Sequence, residues 1–240
     1  MKTRSISIVI PAYNEEACIE KSVSYAESVM AGVTPDFEIV VVDDASRDRT
    51  KQILEQMQKS RPYLKVASHS VNRGLGGTLR TGFALCEKDI TFYSDADLPF
   101  DFEELKKALR VMEIKDAGCV TGFRHDRTSE GFIRIVYSLC YNLLIRLLFG
   151  IEIRDVNFSF KLFKTKDLKR MQLKSEGSFI DAEMMVKADR MNLFLCQIGI
   201  DYFKRNTGQS SLSSPKTILY IFREMFALYP GLRRFTPQDA

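Results

Sequence analysis

Asp95-Ala96-Asp97 closes an apolar run at residues 90–94. Two carboxylates two residues apart at a strand end can share one hard divalent cation through oxygen ligands. That cation can clamp a diphosphate and offset charge on a departing nucleotide. The same triplet also fits a loop of solvated acids, or a turn built on Asp side chains. Asp43-Asp44 closes a second apolar run, 37–42. An acid there can bond a ribose hydroxyl or a base edge, or cap the helix that follows. Asn72-Arg73-Gly74-Leu75-Gly76-Gly77 brings small residues to a helix start, where backbone N–H groups can hold a phosphate. It fits a flexible turn equally well. It is not a dinucleotide fingerprint, since the third glycine position is Leu79, and no Gly-Lys-Ser/Thr follows as a Walker loop requires.

Alternating elements place these groups. Runs 5–10 (stopped by Pro11), 37–42, 64–68, 90–94 and 118–122 read as strands. Between them 15–30, with Asn14 as N-cap, 47–59, 78–88 and 102–112 carry helical spacing. The alternation predicts an α/β fold, a Rossmann-like mostly parallel sheet flanked by helices on both faces. Ligands of such sheets bind beyond the carboxyl ends of the strands. Tyr13-Asn14-Glu15, Asp43-Asp44 and Asp95-Ala96-Asp97 all fall there. From about Thr121 the pattern is less regular: an apolar helix, a strand-like run at 158–163, a helix at 180–190 and an amphipathic helix at 216–228.

Composition narrows the class. The 240 residues suit one large α/β domain, here 1–215 in two halves that divide at about 120, plus a helix and tail at 216–240. Net charge is +4, from 35 Lys+Arg against 31 Asp+Glu, too mild for a dedicated nucleic-acid binder. His69 and His125 are the only histidines, which excludes a His-rich zinc site. The five cysteines are scattered and odd in number, as expected of core residues in a reducing compartment. Residues 5–10 are too short for a signal sequence, and no apolar stretch of about 20 residues predicts a plain membrane span.

The motifs in order, IVIPAYNEE, VVDDAS, NRGLGGTLRTG and SDADL, resemble those of family 2 glycosyltransferases with the GT-A fold. Within that family the chain resembles the polyprenyl-phosphate branch, the dolichyl-phosphate mannosyl- and glucosyltransferases. Gly122-Phe123-Arg124, Arg134-x-x-x-Ser138-x-x-x-Asn142, residues 155–163 and Arg205-x-x-Gly208-x-Ser210 resemble its later motifs. The resemblance implies that Pro11, Ala12, Tyr13, Glu15, Asp43, Asp44, Asn72, Gly74, Arg80, Asp95 and Ala96 bind the nucleotide sugar, GDP-mannose or UDP-glucose. It implies that Asp95 and Asp97 hold Mg²⁺ or Mn²⁺. Arg124, Arg134, Ser138, Asp155, Arg205 and Ser210 would receive the lipid phosphate, with Asp97, Arg124, Arg134 and Arg205 carrying catalysis. Asp181 and Glu183 lie where the family carries acids on a helix facing the site. The chain departs from the family at Pro99, where a Gln is common, at Ser159 in place of Gly, and at Ser211 in place of Lys.

Residues 132–149 are apolar except for Arg134, Ser138, Asn142 and Arg146. Steps of four advance about 40° each, so this polar stripe spans roughly 120°. A greasy helix with one narrow polar face suits a membrane interface or a lipid groove, or else a core helix with one face in solvent. Here the expectation is a groove walled by Tyr137, Tyr141 and leucines, in which Arg124, Arg134, Ser138 and Arg205 converge on one phosphate. The implied reaction is inverting hexose transfer to a polyprenyl phosphate, by a peripheral protein on the cytoplasmic face of a membrane. An anionic phosphate nucleophile needs positioning more than a base. A hydroxyl acceptor would instead need a carboxylate base, Asp155 or Asp181. A catalytically silent nucleotide-sugar-binding protein is the remaining alternative. Loss of Asp44 is expected to weaken nucleotide binding with little change in unliganded stability.

Overall fold

The computed structural model describes residues 4–97, 99–126, 131–202 and 215–236. Among these, strands β1 (Ile6–Ala12), β2 (Phe37–Asp43), β3 (Leu64–Ser68), β4 (Ile90–Tyr93), β5 (Cys119–Arg124), β6 (Lys161–Lys164) and β7 (Leu195–Ile200) form one sheet, ordered β3-β2-β1-β4-β6-β5-β7. Helices α1 (Ile19–Ala31), α2 (Thr50–Gln58), α3 (Gly74–Leu85), α4 (Glu104–Lys115), α5 (Phe132–Phe149), α6 (Thr165–Arg170), α7 (Ile180–Arg190) and α8 (Pro215–Arg234) cover it.

Side chains of a strand alternate between faces, and both faces are buried here. Ile8, Ile10, Ile39, Val41 and Phe92 join one core under α1, α2 and α4. Val9, Val40, Val42 and Tyr93 join a second core with residues of α3, α5, α6, α7 and α8. The C-terminal helix is therefore part of the domain: Ile221, Met225 and Leu232 are buried in that second core.

The register brings the motifs together. Ala12 pairs with Asp43, Asp43 with Ser68, and Val9 with Tyr93, all in parallel. The loops after β1, β2, β3 and β4 thus leave the same edge. β6 runs antiparallel to both β4 and β5, and Lys161 pairs with Tyr93 on one side and Thr121 on the other. β4 and β5 therefore point the same way, two strand spacings or about 10 Å apart. Asp95 and Arg124 leave from that common edge.

Three boundaries differ from expectation for local reasons. α1 starts at Ile19, and Asn14 does not cap it: at φ 57 its side chain accepts from Arg47 N instead. α3 starts inside the glycine-rich segment, at Gly74 rather than Thr78, because its first N–H groups find partners elsewhere in the fold. β7 was not expected at all; Gln197 and Gly199 interrupt its β-branched pattern.

Candidate active site

The loops beyond β1 and β2 are tied edge to edge. Asn14 N donates to Ser46 Oγ, Arg47 N to Asn14 Oδ1, Glu15 N to Thr50 Oγ1 and Glu16 N to Asp48 Oδ2. Arg49 returns to Glu16 at 3.1 Å. Pro11 and Ala12 remain in β1, and Tyr13 stands 42% exposed at the rim. Asp43 is buried and accepts from Ser46 N at 3.3 Å.

Asp44 has a structural task that its spacing does not show. Its carboxylate accepts from Arg73 N and Gly74 N, both at 2.8 Å, and from His69 Nδ1 at 2.7 Å. Asn72 Nδ2 donates to its carbonyl. Asp44 thus caps the start of α3, a structural tie that gives its removal a cost in stability as well as in binding.

The glycine-rich segment is corrected too. Gly76 N and Gly77 N donate to the carbonyl of Glu176. A Cβ on Gly76 would sit 2.2 Å from Ser175 O; one on Gly74, at φ +74, would sit 2.7 Å from Glu176 O. The glycines admit a backbone strand of the protein itself, and these N–H groups are not turned to a phosphate. Arg80, expected at the nucleotide, pairs with the Glu176 carboxylate, which Arg73 also approaches at 3.6 Å.

The acidic pair follows β4. Ser94 N donates to Val9 O, and Ser22 Oγ donates to the carbonyl of buried Ala96, which fixes the turn. Burial, then the negative charge of Asp97, pushes the Asp95 carboxyl up to about 7. A hydrogen bond with Ser159 pulls the other way, so the Ser that replaces Gly in the later motif serves Asp95. Two crowded hard-oxygen donors, one of them pushed toward protonation by burial and its neighbour's charge, fit a divalent cation. Among the described residues no group of three His, Cys, Asp or Glu could hold a metal. A cation held by these two carboxylates would take its remaining oxygens from a diphosphate and water, as Mg²⁺ sites commonly do.

Beneath this pair lies a buried ion pair missed by the sequence reading. Lys161, fully buried on β6, donates to Asp181 Oδ1 at 2.6 Å and to Phe158 O, with Nζ 5.6 Å from the Tyr93 ring centre. Burial raises the Asp181 carboxyl above its ordinary value while Lys161 opposes the shift. Glu183 does not face the site, contrary to expectation. It accepts from Lys174 N and Ser175 N and pairs with Lys187 at 2.6 Å, anchoring the connection before α7.

Arg124 ends β5 with its guanidinium clamped on Asp155, at 2.7 Å from Nε and 2.8 Å from Nη2. It stands over Phe158 and Tyr202, 5.5 and 5.4 Å from their ring centres, and the two rings pack edge to face 6.3 Å apart. Asp155 therefore orients Arg124; as a direct partner of an anionic acceptor it is corrected. Arg205 and Ser210 and the side chain of Arg134 lie outside the described residues, as does the expected four-way convergence that includes them. Ser138 is half-buried.

On α5 the far end of the polar stripe meets residues 152–156. Asn142 bonds Arg154 O and Val156 N, and Arg146 pairs with Glu152. Val136, Tyr137, Leu139, Leu143 and Leu147 are the exposed face, Leu147 at 73%. Tyr137 and Tyr141 do not form one wall: Tyr137 faces out and the Tyr141 hydroxyl is buried. No helix among the described residues is long and apolar enough to cross a membrane.

A mostly parallel sheet flanked by helices, with a paired-carboxylate turn beyond one strand, is the architecture of the GT-A fold, and the known proteins agree. The family model of glycosyl transferase family 2 matches residues 7–171, and the chain belongs to that family. Glycosyltransferase AglD of Haloferax volcanii is 28% identical over 204 residues, 82% of this chain but 33% of that protein. A dolichyl-phosphate beta-glucosyltransferase of Drosophila melanogaster is 28% identical over 216 residues, covering 81% of this chain and 66% of its own. The chain thus spans from one third to about two thirds of these relatives' lengths. Glucosyl-3-phosphoglycerate synthase of Mycobacterium tuberculosis, solved with Mn²⁺, UDP-glucose and phosphoglyceric acid, superposes with a TM-score of 0.72 at 19% identity, covering 95% of this chain and 80% of that one.

Proposed function

We propose that the protein transfers a hexose, with inversion, from a nucleotide sugar to a polyprenyl phosphate. The observation that carries this reading is the state of the two carboxylates expected as a base. Asp155 is clamped by Arg124 and Asp181 by Lys161, both in buried ion pairs. A hydroxyl nucleophile needs a base free to take its proton, whereas a phosphate monoester is already anionic and needs cations to position it. Relatives that act on dolichyl phosphate support the same acceptor.

Tyr13 and Glu15, with the Asp43–Asp44 turn behind them, bound the nucleotide cleft. Asp44 acts by holding the Asn72–Gly74 turn in place. Asp95 and Asp97 would hold Mg²⁺ or Mn²⁺, which when bound offsets charge on the departing diphosphate. Arg124, pre-oriented by Asp155, would receive the acceptor phosphate together with Arg134, Ser138, Arg205 and Ser210. The exposed apolar face of α5, with Leu219 and Phe226 of α8 and the Arg233–Arg234 pair, rests on the membrane surface that supplies the lipid. The five free cysteines suit the reducing, cytoplasmic side.

The test is incubation with a panel of nucleotide sugars, including GDP-mannose and UDP-glucose, plus polyprenyl phosphate and Mg²⁺ or Mn²⁺. A hexosyl lipid phosphate detected by mass supports the reading. Hydrolysis alone, or binding without turnover, contradicts it.

A further inference from the structure

Helix α8 is tied to the start of α3 by a short series of hydrogen bonds. One oxygen of Glu224, on α8, accepts from Glu176 N at 2.6 Å and from Gly177 N at 3.0 Å. Gly177 lets the helix come this near: a Cβ there would sit 2.6 Å from Tyr220 Cε1 and 3.0 Å from the other Glu224 oxygen. The Glu176–Gly177 peptide then reaches α3 on its far side. Its carbonyl accepts from Gly76 N at 2.7 Å and from Gly77 N at 3.1 Å. A single peptide unit thus stands between the two helices, its N–H on Glu224 and its C=O on α3. The Glu176 side chain closes the same joint, paired with Arg80 and 3.6 Å from Arg73.

The first N–H groups of a helix have no partner within it. At α3 two carboxylates divide them. Asp44 takes Arg73 N and Gly74 N directly, both at 2.8 Å. Glu224 acts on Gly76 N and Gly77 N through the shared peptide. Hydrogen bonds in series polarise one another, so a carboxylate on the peptide N–H makes its carbonyl a better acceptor. The joint is not sealed: Asn72, Arg73, Gly74, Glu176, Gly177 and Tyr220 line a cleft of about 420 Å³. The turn that the two carboxylates hold is therefore reachable from solvent.

We propose that Glu224 is a positioning residue for the nucleotide: from α8, through the Glu176–Gly177 peptide, it sets the start of α3 and with it the Asn72–Gly74 turn that Asp44 holds. This rests on the reading above, in which the Asp43–Asp44 turn bounds the nucleotide cleft, and it makes the C-terminal helix a part of the donor site. Glu224 works through backbone alone, so its loss weakens donor binding and leaves the chemical step.

The experiment is calorimetric titration of wild type, Glu224→Ala, Glu224→Gln and Leu232→Ala with UDP and with GDP, Mn²⁺ present, well below the melting temperature of each. Glu224→Gln keeps an oxygen that can accept both N–H groups. Leu232→Ala opens a cavity in the second core about two turns further along α8, away from the joint. Glu224→Ala should weaken binding of the nucleotide by about fivefold or more. Glu224→Gln should restore most of that affinity, and Leu232→Ala should bind as wild type does although it melts lower. In transfer assays Glu224→Ala should raise the donor KM and leave kcat nearly unchanged, the mark of lost uniform binding. Where Glu224→Ala fails to fold, Glu224→Asp, which withdraws the carboxylate by one methylene, carries the same comparison. Unchanged affinity in the Glu224 variants overturns the proposal, and so does an equal loss in Leu232→Ala, since the effect then follows stability alone. A wild type that binds the nucleotide while every Glu224 variant matches it overturns this role and leaves the transfer reading standing. A wild type that binds neither UDP nor GDP overturns the donor site itself, and the role of Glu224 with it.

Discussion

The β1–β3 edge and the β4–β6–β5 edge of the same sheet are held by different means. At the first, side chains bond backbone across adjacent loops: Asn14 with Ser46 and Arg47, Asp44 with Arg73 and Gly74. At the second, ionised side chains pair in the interior: Lys161 with Asp181, Arg124 with Asp155. The first arrangement makes a rigid rim with an exposed tyrosine. The second concentrates charge in low dielectric, where one missing partner is expensive and where an added cation is welcome. Donor binding suits the rim, and charge transfer suits the interior.

The sharpest break in this contrast lies at the acidic pair. Asp95→Asn with Asp97→Asn should lower turnover by about a thousandfold or more, the order expected for lost electrostatic stabilisation of a leaving group. The metal-free fold should be as stable as wild type, since two repelling acids are removed. Steady-state rates with and without chelator, beside thermal melts, check both halves of this expectation. Activity surviving in the double variant would remove the carboxylates from the chemistry.

Lys161→Met probes the pair below. It strands the Asp181 carboxylate in the interior, a change that costs about 3–5 kcal/mol when one partner of a buried pair is lost. Adding Asp181→Leu should recover much of the loss. Urea unfolding of both variants measures this, and a single variant as stable as wild type would show the pair to be solvated.

Asp95 gives a pH signature. Its carboxyl titrates at about 7 folded against an ordinary 3.8, so between those values the folded state holds a proton that the unfolded state has released. This contribution to stability is complete below about pH 4 and is lost as pH rises through about 7. In chelator, wild type should therefore lose stability from pH 5 to 8 more steeply than Asp95→Asn. Melting temperatures across that range test it, and parallel profiles would contradict it.

The smallest effect belongs to the rim. Asp44→Ala removes the α3 cap and should cost about 1–2 kcal/mol, seen in denaturant unfolding without ligand. Nucleotide affinity should fall through a loosened Asn72–Gly74 turn. An unchanged stability would mean the cap is redundant.

The same contrast explains what could be read from the sequence. Strand ends and the acids beyond them are local: an apolar run, then Asp43-Asp44 or Asp95-Ala96-Asp97, is visible in consecutive residues. Helix 180–190 was legible for the same reason. Pairings across long stretches were not. Lys161 looks like one cation in an apolar strand, and only the fold brings Asp181 to it. Glu176 gives no local sign that its carbonyl fills the α3 N-terminus 100 residues earlier in the chain, at Gly76. The glycine-rich segment therefore suggested a phosphate where the structure puts backbone. The turn of Asn142 and Arg146 toward 152–156 was hidden likewise, since periodicity shows which residues share a face but not what that face meets.

Acceptor chemistry is the point on which the proposed function turns. The direct measurement is transfer of a labelled hexose, with Mn²⁺ present, to polyprenyl phosphate and to the corresponding free polyprenol in parallel. Product with the phosphate and none with the alcohol is expected, because the two carboxylates placed to act as a base, Asp155 and Asp181, are already held in buried ion pairs. Efficient transfer to the alcohol, or to a glycan hydroxyl in its place, would contradict the phosphate nucleophile and require Asp155 or Asp181 to leave its ion pair.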